Sequence, residues 1–173
     1  MKKELIATTA NGFDVYMDME KCHALTHVAK SPKLMDFIKK VIPTIDATQD
    51  VIRIDRDMGE IAGMTDMVET DENDEIIYAM RPLRSIYSRF AKNKQAQPTN
   101  WITIDLRKSE DSANSSEKAG SYDLYTAFVG KLTPSFPGGN YLPEQSKEFW
   151  SKHALALESV EIVPGTETAE CPW

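Results

Sequence analysis

Apolar and polar residues alternate along ELIATTA and again along FDVYMD, with Asn11-Gly12 between the two runs. Asn-Gly suits a type I′ turn, whose two central residues need positive φ, so the pattern predicts a β-hairpin within residues 1–19. From about residue 20 to residue 29 the period changes. Cys22, Leu25 and Val28 recur at helical spacing, and His23 and His27, at i and i+4, share a neighbouring stripe. Ser31-Pro32 reads as the cap and first residue of a second helix, with Leu34, Phe37, Ile38, Val41 and Ile42 as its core face and Pro43 at its end. Short strands are expected at residues 51–54 and in IIYAMR, the latter buried and following the acidic run ETDENDE. WITIDLR alternates with Ile102, Ile104 and Leu106 on one face and Trp101, Thr103, Asp105 and Arg107 on the other, predicting a half-buried strand. SYDLYTAFVG is expected to pair with it as a long hairpin, across the Ser-rich KSEDSANSSEKAGS, which lacks an apolar anchor and reads as a mobile connection. After the Pro/Gly-broken LTPSFPGG, Pro143 is expected to open a helix running to about Leu157, with SVEIVPGTETAECPW as an extended tail.

These elements define an α+β fold, a mostly antiparallel sheet of about four strands packed by N-terminal helices, with an N-terminal hairpin and a C-terminal helix. A length of 173 residues without a break in composition reads as a single domain, residues 1–173, made of a hairpin (1–19), a core (20–130) and a C-terminal helix and tail (131–173). The net charge of −7 opposes a protein that coats nucleic acid through bulk charge, so any such contact must use a local patch. Nothing points to DNA. Polar residues interrupt MKKELIATTANG before a signal-peptide core is complete, and no run of about 18 apolar residues follows, so no membrane partner is expected. Cys22 and Cys171 do not make a disulfide framework, which sets the cytoplasm as the expected compartment.

The candidate chemistry is sparse. His23 and His27 on one helix suggest a metal, a solvated pair or acid-base work; zinc needs further ligands, and the zincin pattern would require Glu where Ala24 stands. No metal site is therefore assigned. The five carboxylates of ETDENDE lack the central Gly and terminal Glu of a calcium loop and read as a solvated turn. His153, beside Trp150, Ala154 and Leu157, reads as a packed residue. RPLRSIYSRFAKNK reverses the sign of the chain locally, with Arg81, Arg84, Arg89, Lys92 and Lys94 and no acid. Arginine forks suit phosphate, and Tyr87 and Phe90 between them suit stacking on unpaired bases. The plainer alternative is a basic edge that ion-pairs with ETDENDE. There is no G-x-S-x-G elbow, Walker A or dinucleotide fingerprint, so neither a serine hydrolase nor a cofactor is expected. FPGGNYLP runs a Gly-Gly turn into a helix, but Pro143 removes an N–H and no Lys or Arg lies between Phe136 and Pro143. A structural turn with a buried Trp150 is predicted there instead of a phosphate cradle.

Taken in order, the helix HALTHVAKSPKLMDFIKKVI, the strands after it, the Arg-rich element and the strand YTAFVG resemble the barnase/colicin/RelE-like ribonuclease superfamily, especially its small bacterial and phage toxin members. The similarity covers roughly residues 20–130, while FWSKHAL and PGTETAECPW resemble parts of an uncharacterised bacterial family. The resemblance implies metal-independent RNA cleavage, in which the ribose 2′-OH attacks the adjacent phosphorus. It implies His23 or His27 as the helix histidine, Arg81, Arg84 and Arg89 as the phosphate clamp, and Thr126 as the polar residue of the last strand. Tyr87, Phe90, Lys92 and Lys94 would then bind the RNA. A second reading stays open, a non-catalytic protein-interaction or immunity-type module with a cognate protein partner, because an acidic surface can mask a basic toxin or mimic nucleic acid.

Overall fold

A computed structural model describes residues 2–110 and 120–173. The elements run β1 (Lys3–Thr8), β2 (Asp14–Asp18), α1 (Ala24–Lys30), α2 (Leu34–Val41), β3 (Val51–Asp57), β4 (Gly63–Thr65), β5 (Met67–Glu69), β6 (Ile76–Met80), β7 (Tyr87–Ala91), β8 (Gln97–Thr99), β9 (Trp101–Lys108), β10 (Tyr122–Val129), α3 (Glu144–Lys152) and β11 (His153–Ala156). The fold is α+β. Its strands form sheets of five and four strands and a two-stranded ribbon of β4 with β8, where the sequence reading expected one sheet of about four. The contacts divide the chain into two compact units, Met1–Gly63 with Thr99–Leu132 and Met64–Pro98 with Thr133–Trp173, which the reading of residues 1–173 as one domain did not separate.

The first unit holds the five-stranded sheet, in the order β1-β2-β10-β9-β3. Its opening hairpin forms, but with a wider turn than Asn-Gly alone: Thr9 N–H donates to Phe13 O (2.8 Å) and Gly12 takes φ 89°. Asn11 works at longer range, its side chain donating to Ala47 O (2.7 Å) and accepting from Ala47 N–H (2.9 Å). α1 starts at Ala24, later than its apolar spacing suggests, because the Asp18 carboxylate accepts the N–H groups of Glu20 and Lys21 (2.9 and 3.0 Å) and holds that stretch as a turn. α2 buries the expected Leu34, Phe37, Ile38 and Val41, and Ile42 and Pro43 continue into a short 3₁₀ turn. Those side chains pack in one cluster with Ile102, Ile104 and Leu106 of β9. Each contributes about 1.5–3 kcal/mol of apolar burial.

β9 is the correction in this sheet. Its polar alternation predicted one wet face, yet Thr103 and Asp105 are as buried as the isoleucines. β9 lies between β10 and β3, and Thr103 Oγ1 donates to Gly130 O (2.8 Å), so the second face is closed at its centre as well. The long hairpin is present: β10 pairs antiparallel with β9 from Tyr122 opposite Lys108 to Val129 opposite Ile102. Most of the serine-rich connection, residues 111–119, lies outside the described residues.

The second unit holds the sheet β5-β11-β7-β6, with β6 and β7 as a hairpin and β11 parallel to β7. The helix expected to reach Leu157 stops at Lys152, and His153–Ala156 becomes a strand. Ala154 and Ala156 are buried between β5 and β7, so sheet pairing overrides the helical spacing of Trp150, His153 and Leu157. Trp150 is 3% exposed, stacks on Phe136 at 3.8 Å between centroids and donates its indole N–H to Pro134 O (3.0 Å). His153 stacks on Phe149 (4.0 Å) and donates Nδ1–H to Phe149 O (2.9 Å), the packed role expected of it.

Candidate functional site

α1 delivers its histidines to the last strand of the first unit. His23 stands at the helix N-cap and His27 one turn on, so both rings leave the same side of the helix. Their centroids lie 5.4 Å apart, edge to face. His23 Nδ1 is 3.3 Å from Thr126 Oγ1 of β10, and the His27 ring lies 6.0 Å from that of Phe128 on the same strand. Cys22, just before the helix, donates its thiol to Leu124 O (3.2 Å), which fixes α1 along β10. Burial, then the charges of His23 and Lys30, push the His27 pKa below the ordinary histidine value. His23, by contrast, is exposed.

Across the sheet from Thr126 lies a charged group that the sequence reading did not single out. Thr126 is opposite Asp105 on β9, and Asp105 is opposite Arg53 on β3, so the three side chains stand on one face. β10 bulges at Tyr125, which brings Tyr125 and Thr126 together opposite Asp105. Asp105, 2% exposed, accepts from Arg107 Nε at Oδ1 (3.3 Å) and Nη2 at Oδ2 (3.5 Å), with Arg53 Nε 3.9 Å from Oδ2. Arg107 in turn lies 3.6 Å over the Tyr125 ring. Hydrogen bonding to Asp105 raises the Arg107 pKa further, so this cation is permanent. The face therefore carries two imidazoles, a hydroxyl, two guanidinium groups held by a buried carboxylate, and an exposed tyrosine. Its signal in sequence was the alternation of WITIDLR, which already set Asp105 and Arg107 on one side of the strand.

The cations expected to complete the histidines belong to the second unit. Arg89 lies in β7, 9% exposed, and donates Nη1–H to Thr70 Oγ1 and His153 O, both at 2.8 Å. Arg81 donates Nε–H to Ser88 Oγ (2.8 Å) and lies over the Phe136 ring (5.6 Å), with its pKa lowered by burial and then by Arg84. These two arginines tie strands and rings together. Phe90 is fully buried and offers no face to a base, whereas Tyr87 is half-buried. Lys94 pairs with Asp74 (3.7 Å) and Asn93 donates to the same carboxylate (3.0 Å), so part of the basic run does meet ETDENDE. Arg84 and Lys92 are exposed. The Gly-Gly turn is structural in form: Gly138 and Tyr141 exchange both backbone hydrogen bonds (2.8 and 2.9 Å), and Gly139 takes φ 56° at the first central position.

Among the described residues no group of three or more His, Cys, Asp or Glu is placed to hold a metal ion, and no helix is long and apolar enough to cross a membrane. Compared with protein-family models, curated proteins and solved structures, the chain has no match.

Proposed function

We propose that the chain is a metal-independent, toxin-like endoribonuclease whose chemistry lies on the β3-β9-β10 face of the first unit. The observation that carries this reading is the His23–Thr126 contact, with His27 beside it and Asp105, Arg53 and Arg107 in register across the sheet. Cleavage by the ribose hydroxyl needs a base, an acid and cations for the phosphorane. His27, with its lowered pKa, is neutral near pH 7 and suited to take the 2′-OH proton. The 2′-oxygen then bonds to phosphorus while the bond to the 5′-oxygen breaks, and His23, oriented through Nδ1 by Thr126, acts as the acid that gives a proton to that leaving oxygen. Arg53 and Arg107 face the phosphate, and Tyr125 supplies the stacking surface in place of Tyr87 and Phe90. In this form Arg81 and Arg89 hold the second unit together and touch no RNA.

The test is incubation of purified protein with structured and unstructured RNAs in EDTA. Products ending in 2′,3′-cyclic phosphate are expected, with at least a hundredfold slower cleavage by His27→Gln or His23→Gln, within the usual range for an acid or base. The net charge of −7 favours the second reading, a non-catalytic module for a basic partner. RNAs left intact both in EDTA and with divalent metals would replace the first reading by the second.

A further inference from the structure

On the opposite face of β3 from Arg53, the first unit has a cleft of about 390 Å³ between α2 and the end of the strand, lined by Phe37, Lys40, Val41, Arg56, Met58 and Glu60 among others. We infer that this cleft binds a small monocarboxylate with an apolar body. Phe37 and Val41 are buried and Met58 partly so, giving an apolar floor, and the volume falls within the usual range for small-ligand sites, about 300–1,000 Å³. The rim decides the charge of the occupant. It carries two acids and two bases, but the acids are engaged: Glu60 pairs with Lys33 (3.5 Å), and Asp57 accepts the Gly59 N–H (2.8 Å). Lys40 instead hangs over the Phe37 ring (5.8 Å), and Arg56 donates Nη1–H to the carbonyl of Asp55 (3.0 Å). Neither has a carboxylate partner among the described residues. An anionic head set between Lys40 and Arg56, with its aryl or acyl body over Phe37, satisfies both features. A phosphate without an apolar body would leave the floor wet, and a neutral lipid would leave the cations unused.

Phenylbutyrate and decanoate serve as aryl and acyl probes in isothermal titration against the intact chain, with phenylbutanol and decanol as their neutral counterparts. Saturable binding of one or both carboxylates is expected, each about tenfold tighter than its alcohol, a difference of about 1.4 kcal/mol. Lys40→Gln with Arg56→Gln should remove that preference, and Thr44→Trp, at an exposed lining position, should block binding with the melting temperature kept. Tighter binding of the aryl probe would identify aryl acids as the natural class, and of the acyl probe, fatty acids. No saturable binding of either carboxylate would overturn the inference. So would equal affinity for acid and alcohol, or a carboxylate preference that survives in the double variant.

Discussion

Gly138 and Gly139 stand side by side, and alanine at each should destabilise the second unit for a different reason. At Gly138 a Cβ would lie 2.5 Å from Ile86 Cγ2 and 2.8 Å from Ile86 Cβ, far inside the optimum carbon separation of about 3.5–4.0 Å. Ile86 is β-branched and its Cβ sits directly on the chain leading into β7, so relief requires moving backbone, and the expected loss is that of overpacking, about 1–3 kcal/mol. At Gly139 nothing lies within 4 Å, and the whole penalty is the φ of 56°, about 1–2 kcal/mol for alanine. Valine should cost more there, and asparagine, which tolerates that region, should recover most of the loss. Urea unfolding followed by tryptophan fluorescence reads both, because Trp150 stacks on Phe136 just before the turn. With a urea slope of about 1–3 kcal/mol per molar, a 2 kcal/mol loss moves the midpoint by about 1 M. Ile86→Ala removes the nearer contact, so the Gly138→Ala/Ile86→Ala pair should show a favourable coupling. The steric argument is refuted if Gly138→Ala unfolds at the wild-type midpoint. The φ argument is refuted if Gly139→Asn falls as far as Gly139→Ala.

Other outcomes follow from the same contacts. Because burial depresses the His27 pKa, the unfolded chain binds that proton first; the stability is full above pH 6.5, the ordinary histidine value, and is lost as pH falls through the depressed one. His27→Gln should flatten this part of a melting-temperature profile, and an unchanged slope would count against its burial. Asp105→Asn removes the charged acceptor of Arg107 and Arg53, and since both arginines are about half exposed the loss should be only about 1 kcal/mol, shrinking with salt in urea melts at two ionic strengths. Arg89→Met leaves Thr70 Oγ1 and His153 O without their donor and should cost about 2–3 kcal/mol in a denaturant melt, whereas Lys92→Ala, exposed, should stay within about 0.5 kcal/mol.

The sequence was most legible where one face alone sets the pattern. α2 repeats Leu34, Phe37, Ile38 and Val41 at helical spacing, and those four are the residues it buries. The turn at Gly138 and Gly139 and the burial of Trp150 were legible for a similar reason, since positive φ and missing N–H groups are local properties. Long-range pairing hid the rest. His153–Ala156 carries a helical spacing that continues from α3, and only the strands on either side of it, β5 and β7, make it extended. The polar face of β9 looked solvent-bound because alternation reports which residues share a side, not whether another segment covers it.

The same limit governs where a charge cluster can act. RPLRSIYSRFAKNK is dense in cations along the chain, but a strand sends successive side chains to opposite faces, so its density is divided by the fold. Arg89 falls opposite Tyr78 inside the sheet, Arg81 turns back onto Phe136, and Lys94 reaches Asp74, which leaves Arg84 and Lys92 exposed. Arg53 and Arg107 are far apart in sequence, yet register brings both to Asp105, and Arg107 on to Tyr125 of the strand that His23 touches. A phosphate responds to cations gathered in space, and in a sheet that gathering is set across the strands. Register, more than local composition, therefore selects the face on which the proposed chemistry is to be tested.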